Sequence, residues 1–224
     1  MGKILVFFLL WRFLGNPFLA LLVLLVVLYL IDRRFIGLTP SLTKPFRRNR
    51  RLSQLRNELA ANPHDSRSKV EAARLLIEKK KFAEAHGMLE QVLPIMEDSA
   101  EIRYELGLCK LMLGETAEGE KLIRDSLERN PRLKYGEPYL KLGEAFATSK
   151  PEQAVQDLQQ FRSVQSSSCE AYFRIGVLYE RLGRKQEAAE AFRETGNIYR
   201  SLPKYKRKSE RRWALLAALK KRSV

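Results

Sequence analysis

The 224-residue chain is poor in the side chains that usually do chemistry: it has two cysteines and two histidines. Cys109 and Cys169 stand 60 residues apart, outside any CxxC spacing and with no histidine at ligand spacing. Neither a zinc site nor a disulfide framework is indicated, and the scarcity of cysteine fits a reducing compartment. His64 and His86 are solitary and read as ordinary surface or helix residues. There is no Gly-rich phosphate loop, no H-E-x-x-H, no G-x-S-x-G, and no carboxylate pair that stands out from helix-surface charge. The expectation is a chain without catalysis, cofactor, metal or small-molecule substrate.

The formal charge is +15, and its distribution says more than its total. Residues 1–32 carry +1, residues 33–63 carry +7, residues 64–199 carry −2, and residues 200–224 carry +9. The basicity belongs to two flanks and not to the central body. Nucleic acid is therefore a weak fit as partner, because the body is near neutral and aromatics are sparsely interleaved with the basic residues.

The run "FLALLVLLVVLYLIDRR" (18–34) ends in Asp32-Arg33-Arg34-Phe35 and not in a small-residue cleavage site, which argues against a removed export signal. Gly15 loosens the chain, Asn16 can cap, and Pro17 suits a first helical position, so a helix is expected from Pro17. Pro17 to Ile31 would cover about 22 Å against about 30 Å of hydrocarbon. The expected span, about 13–31, closes that deficit with Phe13 and Leu14 at one end. At the other end Arg33 and Arg34 snorkel, with Phe35, Ile36 and Leu38 interfacial. Trp11 and Arg12 in "ILVFFLLWRFL" (4–14) would sit in the outer interface. More basic residues follow the span than precede it, which places the body on the cytoplasmic side. Arg33, Arg34, Lys44, Arg47, Arg48, Arg50 and Arg51 are the expected contacts to anionic headgroups.

The body repeats with a period of 34. "EIRYELGLCKLMLGETAEGEKLIRDSLERNP" (101–131) and "EAYFRIGVLYERLGRKQEAAEAFRETGNIYR" (170–200) share an aliphatic-Gly pair, a turn glycine, a small residue and a large apolar residue. These are Leu106-Gly107, Gly114, Gly119 and Ile123 in one copy, and Ile175-Gly176, Gly183, Ala188 and Phe192 in the other. A third copy (134–161) has Leu142-Gly143, Phe146, Ala154 and Leu158, with a turn one residue shorter before Pro151. A degenerate first copy (68–93) has Ala72-Ala73, Leu76, Phe82, Ala85 and Leu89. By these residues, over about 135 positions, the chain resembles the tetratricopeptide repeat family. The resemblance implies an all-α, right-handed solenoid of about four helix pairs, each a helix A and a helix B; the apolar run puts one N-terminal transmembrane helix before it.

The expected organisation is an anchor over 1–36, a basic linker over 37–49, a capping helix over 50–63, the solenoid over 64–200 and a basic tail over 201–224. The capping helix "RRLSQLRNELAANP" presents Leu52, Leu55 and Leu59 on one face. The tail helix (209–222) would start at Ser209 and pack Trp213, Leu216 and Leu219 over the fourth pair. The alternative is that it lies on the membrane as a basic amphipathic helix.

The resemblance also implies a concave groove lined by positions two, five, nine and twelve of each helix A. These fall on Arg67, Val70, Arg74 and Ile77, on Glu101, Tyr104, Leu108 and Leu111, on Glu137, Leu140, Glu144 and Ala147, and on Glu170, Phe173, Val177 and Glu180. A row of acids beside stacked Tyr104, Leu140 and Phe173 fits an apolar peptide or helix that carries basic residues. The lysine and asparagine clamp that carboxylate-binding members of the family use at positions five and nine is absent. The function expected is a membrane-anchored adaptor at the cytoplasmic face. An extracytoplasmic assembly factor of opposite topology and a nucleic-acid binder using the basic flanks are the alternatives.

Overall fold

The computed structural model describes residues 8–9, 11–13, 15–35, 43–165 and 168–221, the side chains at 31–35 and 43–44 excepted. Every element among them is helical.

The first long helix, α1, is Pro17–Phe35. It starts where local chemistry puts it, with Asn16 Oδ1 accepting from the backbone N–H of Phe18 at 2.9 Å. Gly15 precedes it at φ +64, a left-handed geometry that interrupts the backbone, so Phe13 belongs to a separate turn. The single span expected over about 13–31 is therefore not one helix. Among the described residues no helix is long and apolar enough to cross a membrane. What α1 does present is bare apolar surface, with Phe18 81%, Leu22 58%, Leu25 58% and Leu30 58% exposed. Ile36, Leu38 and the side chains of Arg33, Arg34 and Lys44 lie outside the described residues.

Helix α2 spans Thr43–Ala61 and so begins within the segment expected as a linker. Leu52 and Leu55 are buried in the first core cluster and Leu59 packs against it. Ion pairs fix the rest of this helix. Arg51 holds Glu71 with two bonds of 2.7 Å, Arg48 meets Glu78 at 2.6 Å and Arg56 meets Glu84 at 2.8 Å. Glu71 raises the Arg51 pKa through its hydrogen bonds, and Arg51 holds the Glu71 carboxyl below its ordinary value. Two of the cations expected to face a membrane thus brace α2 against α3, while Arg47 and Arg50 are exposed.

Four helix pairs follow: α3 (Ser66–Glu78) with α4 (Phe82–Val92), α5 (Ala100–Leu113) with α6 (Thr116–Arg129), α7 (Glu137–Phe146) with α8 (Pro151–Val164), and α9 (Cys169–Arg181) with α10 (Lys185–Ser201). The odd-numbered helices are the helices A. Three of them begin at equivalent caps: Asp65 accepts from Arg67 N at 3.0 Å, Ser99 from Ile102 N at 3.3 Å and Ser168 from Ala171 N at 3.2 Å. Pro151 stands in the first turn of α8, where its missing N–H costs nothing.

The small residues do what the repeat requires. A Cβ on Gly107 would lie 2.9 Å from Gly119 O, and one on Gly119 would lie 2.7 Å from Leu111 N, so α5 and α6 touch backbone to backbone. A Cβ on Gly176 would meet the Phe192 ring at 2.5 Å. Core clusters follow one another along the stack, the first across α2 to α5, the next across α5 to α7 and the last across α7 to α11. Cys109 and Cys169 are fully buried, and burial pushes both thiols up to about 12, so neither is a reactive surface group.

The turn between helices A and B uses left-handed backbone in three of the pairs: Lys80 at φ 60, Gly114 at φ 96 and Gly183 at φ 73. Glycine adopts this geometry freely, whereas lysine is strained there. Lys80→Gly is accordingly expected to raise stability by about 1 kcal/mol, read as a higher urea midpoint at unchanged slope.

The last helix, α11, is Lys204–Lys220 and starts after Pro203, five residues before the expected cap. The Ser209 hydroxyl donates instead to Lys206 O at 2.8 Å inside that helix. Ala217 is buried and Trp213 is partly buried against the fourth pair, while Leu219 is 64% exposed and does not join them.

Candidate functional site

The helix-A face carries a row of clefts that share residues. The first, about 660 Å³ between α3 and α5, is lined by Val70, Arg74, Ile95, Met96 and Glu101. The second, about 230 Å³, runs from Arg74 and Ile77 past Tyr104 and Leu108 to Lys134 and Glu137. Glu137 continues into the third, about 290 Å³, with Leu140, Glu170 and Arg174. Arg174 in turn borders a fourth of about 100 Å³ with Glu144, Phe173, Val177 and Arg181. The residues read from the sequence as one groove are thus brought together, with Leu111, Ala147 and Glu180 outside these clefts.

Their exposure differs from the expectation. Tyr104 is 1% exposed and Leu140 3%, so neither is a stacking surface; both are core. Lys134, Tyr135 and Gly136 account for this at Tyr104. They have φ values of 44, 56 and 82 and form a left-handed kink just before α7. It carries Lys134 Nζ across the Tyr104 ring at 5.2 Å and to Glu105 at 2.6 Å. Glu105 is itself 2% exposed and also takes Arg74 Nε at 2.8 Å. The buried carboxylate is thus held between two cations, one on each side of α5.

The acids are not a uniform row either. Glu101 is paired with Arg74, Glu170 with Arg174, and Glu144 with Lys141 at 2.7 Å. Among the described residues Glu137 has no ion pair. The Tyr104 hydroxyl nearby is buried without a hydrogen-bond partner. Burial first, and Glu137 next, hold its pKa far above the ordinary phenol range. The second cleft therefore contains an unneutralised carboxylate that a basic group of a ligand can meet, whereas the Tyr104 hydroxyl behind it is fully buried.

The far end of the face is covered by the protein itself. Phe173 sits between Phe192 at 5.8 Å and Trp213 at 5.5 Å, and Lys220 donates to Glu180 at 2.8 Å. Helix α11 thus stands against α9 and α10 where a fifth helix A would stand, and the open part of the face is its N-terminal half.

Sequence reasoning missed Lys134, Arg174, Ile95 and Met96. The signal for Lys134 was present: 36 residues separate Glu101 from Glu137, against 34 between Arg67 and Glu101, and the kink occupies that interval. Arg174 lies four residues after Glu170, the spacing of a helical ion pair. Among the described residues no cluster of three or more His, Cys, Asp or Glu side chains could hold a metal ion.

Two tetratricopeptide repeat profiles match, one over residues 76–136 and one over 142–197. No curated protein matches the sequence. The chain is similar in structure to TTC0263, a thermophilic TPR protein of Thermus thermophilus, with a TM-score of 0.59 at 18% identity, covering 78% of this chain and 94% of that one. It is also similar to MamA, with a TM-score of 0.54 at 21% identity over 66% of this chain and 86% of that one. YrrB, described as a TPR protein with an unusual peptide-binding site, gives a TM-score of 0.53 at 17% identity, covering 81% and 87% of the two chains.

Proposed function

This chain belongs to the tetratricopeptide repeat family, and on that premise we propose that it is a non-catalytic scaffold. In this reading it holds a segment of a partner protein along the N-terminal half of its helix-A face. The observation that carries the reading is the second cleft, where the Glu137 carboxylate has no ion pair among the described residues and stands over the buried Tyr104 hydroxyl. A segment with apolar side chains for Val70, Ile95 and Met96, and a basic side chain for Glu137, satisfies what the face leaves open. The peptide-binding site in the description of YrrB supports the same use of the fold.

The bare apolar surface of α1 supports attachment to a membrane surface, with Arg47 and Arg50 toward the anionic headgroups of a cytoplasmic leaflet and the body on that side. Deleting residues 1–35 is expected to release the body from the membrane fraction; a body that stays bound contradicts the attachment.

The charge reading is tested by co-purifying the partner with the full chain in mild detergent. Glu137→Lys is expected to lower recovery at least tenfold. Reversing Glu101 and Glu170 costs less, because both are already paired within the chain. Equal recovery with Glu137→Lys and the unaltered chain would sink the reading.

A further inference from the structure

A second cleft system lies away from the helix-A face and has the opposite electrostatic character. It occupies about 530 Å³ between α10 and α11. Phe192, Tyr199, Ala214 and Leu215 form its apolar lining. Its rim is Arg193, Arg200, Arg211 and Lys221, and no carboxylate is among the lining residues. Glu190 lies 4.0 Å from Arg193 but is 67% exposed on the side chain, which leaves that pair weak. Gly196 opens onto the same space, and a Cβ built on it would meet nothing within 4 Å.

The shape of the cleft follows from how the stack ends. Inside the solenoid each helix A is closed by its helix B at small residues, as at Gly107 and Gly119. Helix α11 occupies a helix-A place, and Ala214 and Ala218 on it are small residues one helical turn apart. Its apolar flank is not closed: Leu215 is 40% exposed and Ala218 is exposed. An incoming helix would pair with α11 as α10 pairs with α9.

The charge of the region selects the occupant. Residues 200–224 hold ten basic side chains against one acid, Glu210. A second copy would bring that same basic segment to the contact, and like charges repel. A concave slot with an apolar floor suits a single helix better than a flat bilayer surface. We propose that the α10–α11 cleft docks a helix of another protein whose apolar stripe is flanked by acidic residues. The scaffold then has two ports of opposite preference, one for a basic segment on the helix-A face and one for an acidic helix at the end of the stack.

The test uses the full chain in detergent with a fluorophore at position 218 and two synthetic helical peptides. Both share one leucine stripe, flanked by glutamates in one and by lysines in the other. The glutamate peptide is expected to bind at least tenfold more tightly. Reversing Arg193, Arg200 and Lys221 together to glutamate is expected to invert the preference. Gly196→Trp, which fills the open space, should weaken the glutamate peptide at least tenfold with melting unchanged. Since the reversed side chains are exposed, that variant stays informative should Gly196→Trp fail to fold. Equal binding of the two peptides, binding of neither, or a preference that survives the reversals would overturn the proposal. Self-association of the chain that Gly196→Trp abolishes would assign the cleft to a second copy and overturn it as well.

Discussion

Gly119→Ala is expected to lower the stability of the solenoid by about 3 kcal/mol, and Gly119→Leu to prevent the second pair from closing. The added Cβ would stand 2.7 Å from Leu111 N, 2.8 Å from Gly107 O and 3.0 Å from Leu111 Cα. All three are backbone atoms of α5, so no side chain can turn aside to make room. Gly176→Leu is milder in kind, because the obstacle there is the Phe192 ring, although that ring is itself 2% exposed and held under Phe173. Gly87→Ala supplies the control. Nothing lies within 4 Å of its added Cβ, and alanine favours a helix interior by about 1 kcal/mol over glycine, so that variant should be slightly more stable. Urea midpoints of Gly119→Ala, Gly176→Leu and Gly87→Ala separate crowding from helix propensity; a Gly119→Ala midpoint equal to wild type would mean that α5 and α6 do not touch there.

The second large effect is expected at Arg124. Its guanidinium reaches Asp157 with two contacts of 3.2 Å and Glu120 at 2.9 Å, tying α6 to α8 across the repeat boundary. Asp157 is 4% exposed, and burial raises its pKa against the opposing pull of Arg124. Glu120 keeps Lys150 at 2.9 Å and Gln153 at 2.7 Å, whereas Asp157 has no other cation at ion-pair distance among the described residues. Arg124→Met therefore strands a buried carboxylate, at a cost of about 3–5 kcal/mol near pH 7. The pH dependence has a definite sign. A carboxyl whose folded pKa exceeds its unfolded one binds more protons when folded, so the stability it contributes is present at low pH and lost as pH rises through the folded value. The deficit of Arg124→Met should thus shrink between pH 7 and pH 4, and Arg124→Met/Asp157→Asn should be less pH-dependent than Arg124→Met. A deficit that is constant over that range would place the cost elsewhere.

The helix pairs were legible because their code is local. Leu106-Gly107, Ile175-Gly176 and the turn glycines each answer to a distance or a φ value that only small residues satisfy. The start of α1 was legible for the same reason at Asn16 and Pro17. Residues 43–49 were not read as helix because "TKPFRRN" lacks an apolar stripe; this part of α2 is stabilised instead by Arg48 and Asn49, which reach side chains about 30 positions away. The groove was half legible. Its positions follow from the repeat, but their exposure depends on a two-residue insertion whose left-handed kink brings Lys134 over Tyr104. The neutralisation of Glu101 by Arg74 is likewise a contact between repeats. At the C-terminus Ser209 looked like a cap, yet Pro203 ends α10 first and α11 begins directly after it.

In-cell photo-crosslinking tests most directly whether the helix-A face is where a partner is held. A photo-reactive residue at Val70, in the largest cleft of that face, is compared with one at Lys121, an exposed position on α6 outside it. Val70 is expected to capture one discrete protein through a segment with apolar and basic residues, Lys121 is not, and Glu137→Lys is expected to remove the Val70 adduct. Equal capture from both positions, or a Val70 adduct that Glu137→Lys leaves intact, would contradict a partner site on this face.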